Sequence, residues 1–344
     1  MKCIHCGNDC KYKDRPSGYC PRCHKRFAFE PKNRDPFTDM AFQSAIDAVS
    51  ANGQVRWGVE HLCYELCRRL RRRAYGWGIF AIITVVLGLL LNYAEVLWVI
   101  VFVLPAWLGI WLLLRRYGLS PLARLDQNEF DALWQRWVEV HGRPQSLIGR
   151  KEKPKSKKVQ EPDIGDYSFD RAVICDRART VDLLIANNFH FENNCAVLSI
   201  GGYPEGPFET VRAMLKRNPK LQVFALHDAT AVGCKLAHRL ANDPEWFQGQ
   251  VPVTDVGLRP HHAPPFRGLL LPASASSVVT PDGGVTAREI AWLNKYVLEL
   301  AAIRPEQILK RLFRAINQQT DQVTDDTSFI SDAGDSDGGP DSFG

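Results

Sequence analysis

The sequence predicts a multidomain chain: a four-cysteine metal module, a two-helix transmembrane hairpin, and an α/β domain with a parallel sheet and C-terminal helices. Three observations predict it. Two CxxC pairs fall within the first 23 residues. Two long apolar runs, residues 74–91 and 96–114, are split only by Asn92, Tyr93, Ala94 and Glu95. From Phe169 onward, short β-branched runs alternate with helical stretches. A chain of 344 residues has room for several such units. The net charge of +5 is unevenly placed. Basic residues crowd around the apolar runs and at 151–158, whereas the tail after Asp321 is acidic, so local clusters say more about partners than the total does.

The first module spans residues 1–30. Four of the ten cysteines pair as CxxC, a spacing that reads as metal binding in a reducing compartment rather than as a disulfide framework. Cys3-Ile4-His5-Cys6 and Cys20-Pro21-Arg22-Cys23 are two knuckles thirteen residues apart. Each turn brings two thiolates onto one ion, so Cys3, Cys6, Cys20 and Cys23 close a tetrahedral site around a structural Zn2+. A unit this small buries too little apolar surface to fold unaided, and the metal supplies the folding energy. The pattern resembles a zinc ribbon. Four thiolates leave no open coordination position, which argues against a catalytic ion. Cys10, His5 and His24 read as bystanders. Lys11, Lys13, Arg15, Arg22, Lys25 and Arg26 form a basic surface, either solvated or facing nucleic acid.

Residues 74–114 are expected to cross the bilayer twice, because a helix needs about 20 apolar residues to span the hydrocarbon core. Trp77, Trp98, Trp107 and Trp111 fit an interfacial aromatic population, and Pro105 should kink the second helix. Arg68, Arg69, Arg71, Arg72 and Arg73 precede the hairpin, Arg115 and Arg116 follow it, and the turn has no Lys or Arg. The positive-inside rule then places both termini in the cytoplasm, on a two-pass protein of the inner or plasma membrane.

Residues 31–73 read as helical, with Phe42, Ile46 and Val49 on one face, a break at Asn52-Gly53, and a second helix through Leu62, Leu66 and Leu70. Cys63 and Cys67 sit one turn apart on it and read as packing residues. Within 115–142 an amphipathic helix carries Phe130, Leu133, Trp134 and Trp137. A basic linker at 143–165 follows, and the acidic tail at 320–344 is expected to be disordered.

In the α/β domain, residues 166–319, the runs RAVICD (171–176), CAVLSI (195–200), QVFALHD (222–228) and residues 251–256 read as strands. Helices at 180–188, 208–217 and 231–241 separate them, which implies βαβ units and a parallel sheet. Residues 286–318 read as two helices broken near Arg304-Pro305. Ligands of such sheets sit beyond the carboxyl ends of the strands. Asp176, Gly201, Gly202, Asp228, Thr230 and Asp255 occupy those ends and form the expected ligand crevice, with Asp176, Asp228 and His227 the candidates for catalysis. Converging carboxylates there would suit Mg2+ or Mn2+. His261 and His262 read as local hydrogen-bonding groups or supplementary ligands. The sequence has no GxxxxGK[ST], HExxH or GxSxG motif.

Three stretches carry a resemblance. Gly202-Tyr203-Pro204 with Thr210 and Arg212 is similar to a GYP…TR segment. The run Leu226 to Gly233 (LHDATAVG) looks like LVDADPYG, and Gly257-Leu258-Arg259-Pro260 like a GLRP element. In this order they resemble the Toprim domain of the A subunit of type IIB topoisomerases, over about residues 169–262. The resemblance implies a metal-binding α/β module. Two departures stand out: Cys175-Asp176 replaces the family's strand-end Glu, and Thr230 replaces the second Asp of its Asp-x-Asp pair. The resemblance also implies a tyrosine nucleophile, for which Tyr64 within VRWGVEHLCYELCRR (55–69) is the nearest counterpart. Three functions follow as expectations: a membrane-anchored, non-catalytic Toprim-like protein binding a partner protein or nucleic acid; a divalent-metal-dependent nuclease or topoisomerase-like enzyme; or a membrane-coupled nucleotide or small-molecule sensor.

Overall fold

A computed structural model describes residues 1–15, 17–31, 35–70, 125–149, 169–218, 220–274 and 283–318. Its centre is a four-stranded parallel sheet in the order β2-β1-β3-β4: β1 Arg171–Cys175, β2 Cys195–Ser199, β3 Gln222–Leu226 and β4 Val253–Asp255. The ends of the first three strands fall one or two residues short of the expected runs. At β1 and β3 the residues that leave the ladder are polar, Asp176 and His227-Asp228; at β2 it is Ile200.

Strand alternation divides the sheet's side chains between two cores. Ala172, Ile174, Ala196, Leu198, Val223 and Ala225 face one side, where the helices Phe208–Arg217 and Leu236–Asn242 supply Val211, Leu215, Leu236 and Leu240. Val173, Cys175, Val197, Phe224 and Leu226 face the other, against Val181 and Leu184 of the helix Ala178–Ala186 and Ile308, Leu312 and Ile316 of the helix Pro305–Gln318. The second core does not stop at the α/β layers. It continues through Leu62, Leu66, Trp57, Phe42, Phe130 and Trp137 to Phe29, so the preceding helices share it.

Those preceding helices are Asp39–Val49, the helical residues 59–70 and Gln127–His141. The first starts where Thr38 Oγ1 accepts the Ala41 N–H, and it ends ahead of a turn in which Ala51, Asn52 and Gly53 all take positive φ. The break expected at Asn52-Gly53 is therefore present. Asp126 and Glu129 form a reciprocal capping box at the third helix. Cys63 and Cys67 pack into or against the shared core.

The C-terminal segment departs from expectation. Instead of one helix reaching Ile303, the helix stops at Leu293. Tyr296–Val297 then pairs antiparallel with Leu271–Pro272, and Leu298 bridges to Ala229 beside the end of β3. Ile290, Leu293, Val297, Leu300 and Ile303, whose spacing reads as one apolar helix stripe, are divided between a helix, a strand and a 3-10 turn because the chain runs back across the end of the sheet.

The membrane placement is also corrected. Among the described residues no helix is long and apolar enough to cross a membrane. The helices Gln127–His141 and Pro305–Gln318 have 15 and 14 residues and are amphipathic, short of the roughly 20 apolar residues a span requires. The expected hairpin at 74–114, most of the linker and the acidic tail lie outside the described residues. A two-pass location with both termini cytoplasmic is thus not supported.

The aromatic centre of the helical region gives a first test. Trp137 stacks on Phe42 at 4.7 Å and on Phe29 at 6.1 Å between ring centroids. Trp137→Ala should cost about 3–5 kcal/mol in urea unfolding. A loss below 1 kcal/mol would mean that the helices do not share this core.

Candidate functional site

The two knuckles are built alike. Gly7 N donates to Cys3 O at 2.9 Å, and His24 N donates to Cys20 O at 2.9 Å, with positive φ at both Gly7 and His24. Short bridges between Lys2 and Asp9 and between Tyr19 and Arg26 flank the turns. One sulfur from each of Cys3, Cys6, Cys20 and Cys23 lies within 4.8 Å of the others, and the group can hold a metal ion. Backbone N–H groups of Cys23 and Arg22 outweigh burial and pull the Cys20 thiol down to about 6, favouring the thiolate that binds metal. Among the described residues this is the one cluster of three or more such side chains placed to hold an ion. His5 stands apart from it. Its ring faces His141 at 5.4 Å.

The module is anchored through Asp39, which is fully buried. Asp39 accepts the Ala28 and Phe29 N–H groups at 3.0 and 2.9 Å and pairs with His141 Nε2 at 2.7 Å. Arg26 meets Glu139 and Arg136 meets Asp35 across the same junction.

The second site lies at the carboxyl edge of the sheet. In the order β2-β1-β3-β4 the winding of successive parallel strands reverses between β1 and β3, and a crevice forms at such a switch point. Asp176 follows β1 and Asp228 follows β3. Asp176 Oδ2 accepts the Asp228 N–H at 2.9 Å, while its Oδ1 is buried with no hydrogen-bond partner among the described residues. Asp228, 1 % exposed, accepts the Leu300 N–H at 2.6 Å and pairs with Arg177 at 2.5 Å and Arg179 at 3.7 Å. Glu299 meets the same two arginines at 3.5 and 3.0 Å and accepts the Tyr64 hydroxyl at 2.9 Å. Burial, then the neighbouring Asp176, raises the Asp228 carboxyl to about 6 against the pull of the arginines. Burial likewise raises Asp176.

His227 is also fully enclosed. Its Nδ1 lies 2.8 Å from the Asp228 carbonyl oxygen and its Nε2 lies 2.8 Å from Asp255 Oδ1. Both partners are acceptors, so both ring nitrogens must donate and the ring is held as imidazolium. Burial opposes that charge, but the hydrogen bond to Asp255 and its charge outweigh burial and raise the His227 pKa. Burial also opposes the Asp255 charge, yet His227 and Arg259 hold that carboxyl well below the usual range. Arg259 contacts Asp255 Oδ2 at 2.6 and 2.7 Å. Gly257 lies against the imidazole: a Cβ there would come within 2.4 Å of His227 Cδ2.

The remaining expected residues divide. Gly201 N donates to Ser199 Oγ at 3.0 Å, and Gly202, at φ +85°, forms the turn after β2 beside the end of β1. Thr230 Oγ1 is engaged locally and accepts the Gly233 N–H at 2.9 Å. His262 Nδ1 accepts the Arg259 N–H at 3.0 Å, and burial, His261 and Arg311 press its pKa down to about 3, so it is neutral. The sheet thus gathers Asp176, Asp228 and His227 with Arg259 of the GLRP-like element, but it also brings Arg177, Arg179 and Glu299, which sequence reasoning did not single out. Arg177 and Arg179 directly follow the β1 run and were readable there. Glu299 lies 71 positions beyond Asp228 and carried no local sign.

No protein-family model, curated protein or solved structure matches the chain. The Toprim resemblance therefore has the order of its three motifs as its support.

The buried His227–Asp255 pair predicts a pH dependence. His227 has a folded pKa above its unfolded value of about 6.5, so its contribution is complete below that value and is lost as pH rises through the folded pKa. Asp228 acts in the same direction, its contribution fading as pH rises through about 6. Asp255, with a depressed pKa, contributes above about 4 and loses that contribution under strong acid. The urea midpoint should fall as pH rises above 6.5, and NMR should show the His227 ring titrating above 6.5, shifting downward in Asp255→Asn. A ring titrating below 6.5 in the unaltered chain would contradict the imidazolium assignment.

Proposed function

We propose that the chain is a zinc-ribbon protein whose α/β domain is a degenerate, non-catalytic Toprim-like module that binds a partner protein or nucleic acid. One observation supports this above others: of the strand-end carboxylates that would meet a divalent ion, Asp228 and Asp255 are already engaged. Asp228 is held by Arg177 and the Leu300 N–H, and Asp255 by His227 and Arg259. A Mg2+ ion needs near-octahedral oxygen ligation, and Asp176 Oδ1 alone cannot begin it. The four thiol sulfurs of the ribbon, by contrast, suit Zn2+ in a closed structural site. Exposed Lys11, Lys13, Arg22 and Lys25 on the ribbon offer cations to phosphates.

A divalent-metal-dependent, topoisomerase-like reading draws on a different observation. Tyr64 reaches Glu299, which touches both arginines that hold Asp228, so the tyrosine stands two contacts from the crevice. For that chemistry a metal ion would have to displace Arg177 from Asp228.

Calorimetry on the full chain separates the two. Mn2+ should give no saturable heat at millimolar concentration, in the unaltered chain or in Asp228→Ala. Saturable binding that Asp228→Ala abolishes would replace the non-catalytic reading with the enzymatic one. Elemental analysis should find one zinc per chain, lost in Cys20→Ser.

A further inference from the structure

We propose that Cys10 is an oxidation site: a hydroperoxide joins it to Cys20 as a disulfide and so withdraws one ligand from the metal quartet. The inference rests on the proposed zinc occupancy of the ribbon. Cys10 is not one of the four sulfurs that can share an ion. Its Sγ nevertheless lies 3.8 Å from Cys20 Sγ, and both side chains are buried. Local bonds hold it beside the quartet rather than in it. The Asn8 side-chain amide donates to Cys10 Sγ at 3.4 Å, the thiol donates to Asn8 O at 3.6 Å, and Cys10 N donates to Met1 O at 3.1 Å.

The geometry leaves a short path to a bond. A disulfide has its sulfurs about 2.05 Å apart, so closure requires an approach of roughly 1.8 Å, within reach of side-chain rotation and a small backbone shift. The ligand pairs Cys3–Cys23 and Cys6–Cys20 are as close, at 3.6 Å each. In those pairs both sulfurs are held by the ion. Cys10 alone adds a thiol in contact with the quartet that the ion does not occupy. Cys6 and Cys23 are only partly buried, which leaves the quartet a side open to a small peroxide.

The chemistry balances with hydrogen peroxide as the oxidant. The Cys20 thiolate attacks one peroxide oxygen, the O–O bond breaks, and Cys20 becomes a sulfenic acid as hydroxide leaves, its proton supplied within the peroxide. The Cys10 sulfur then attacks the Cys20 sulfur, the S–O bond breaks, and the departing oxygen takes the thiol proton to leave as water. Two sulfurs lose two electrons and the peroxide gains them. The ion is left with three sulfurs, and a module that folds on its metal loosens.

The test uses the full chain as purified, with its zinc first measured by elemental analysis. Hydrogen peroxide is titrated in, zinc release is followed with a chelating dye, and disulfides are mapped by mass spectrometry, beside Cys10→Ser. The expected result is a dominant Cys10–Cys20 disulfide in the unaltered chain and several-fold slower zinc release in the variant. A map dominated by Cys6–Cys20 or Cys3–Cys23, or equal release from both proteins, overturns the proposal. Absence of zinc at the outset rejects the zinc reading instead, and the disulfide map still decides whether Cys10 pairs with Cys20.

Discussion

A carboxylate buried at the end of a parallel strand must find compensating charge, and much of this molecule is arranged around that demand at Asp228. Its side chain is 1 % exposed. An isolated ion in such a place would cost several kcal/mol. Compensation comes from three directions: the guanidiniums that follow β1, the Leu300 N–H of the C-terminal segment, and the partial protonation that burial and the neighbouring Asp176 enforce. The adjoining His227 ring meets the Asp228 carbonyl oxygen rather than the carboxylate. Each brings its own partner. The arginines require Glu299, Glu299 takes the Tyr64 hydroxyl, and His227 requires Asp255, which in turn takes Arg259. The result is a crevice in which acids and bases balance. It has little attraction left for a free cation or anion, and this is the physical content of the non-catalytic reading.

Asp39 plays the corresponding part at the other end of the helical region. It is wholly buried, and it accepts two backbone N–H groups from the strand of chain leaving the metal module while holding His141. The four-cysteine module is therefore not a bead on a linker. Its exit segment, the start of one helix and the end of another meet on one carboxylate, and Phe29 enters the same aromatic stack as Trp137.

Much of the architecture was legible because its causes are local. CxxC turns, β-branched runs bounded by polar residues, and the Asn52-Gly53 break each act within a few residues, and the structure places them within one or two positions of expectation. The strand-end aspartates were legible because a parallel sheet delivers such residues to one edge. What the sequence concealed was pairing across distance. Nothing near Tyr64 announces Glu299, and nothing near Asp228 announces Leu300. The helical stripe from Ile290 to Ile303 misled because apolar spacing cannot distinguish a continuous helix from a helix, a strand and a turn that each bury a few of the same residues. The long apolar runs at 74–114 were read by composition alone, and among the described residues the helices are amphipathic.

The ties between the helical residues 59–70 and the segment 299–304 also bear on how the chain is made. Glu65 is buried beside Arg304, Arg68 donates to Ala302 O at 2.7 Å, and Tyr64 waits on Glu299. During synthesis these early residues leave the ribosome more than two hundred positions before their partners do. Until then Glu65 has only Arg68 and Arg69 of its own helix to answer its charge. The four-cysteine module lies within the first 30 residues and can close at once, but the body behind it cannot complete its core until translation has passed Arg304. For that interval a nascent chain carries a finished head on an unfinished trunk, with apolar helix faces open to whatever chaperone or neighbour is at hand.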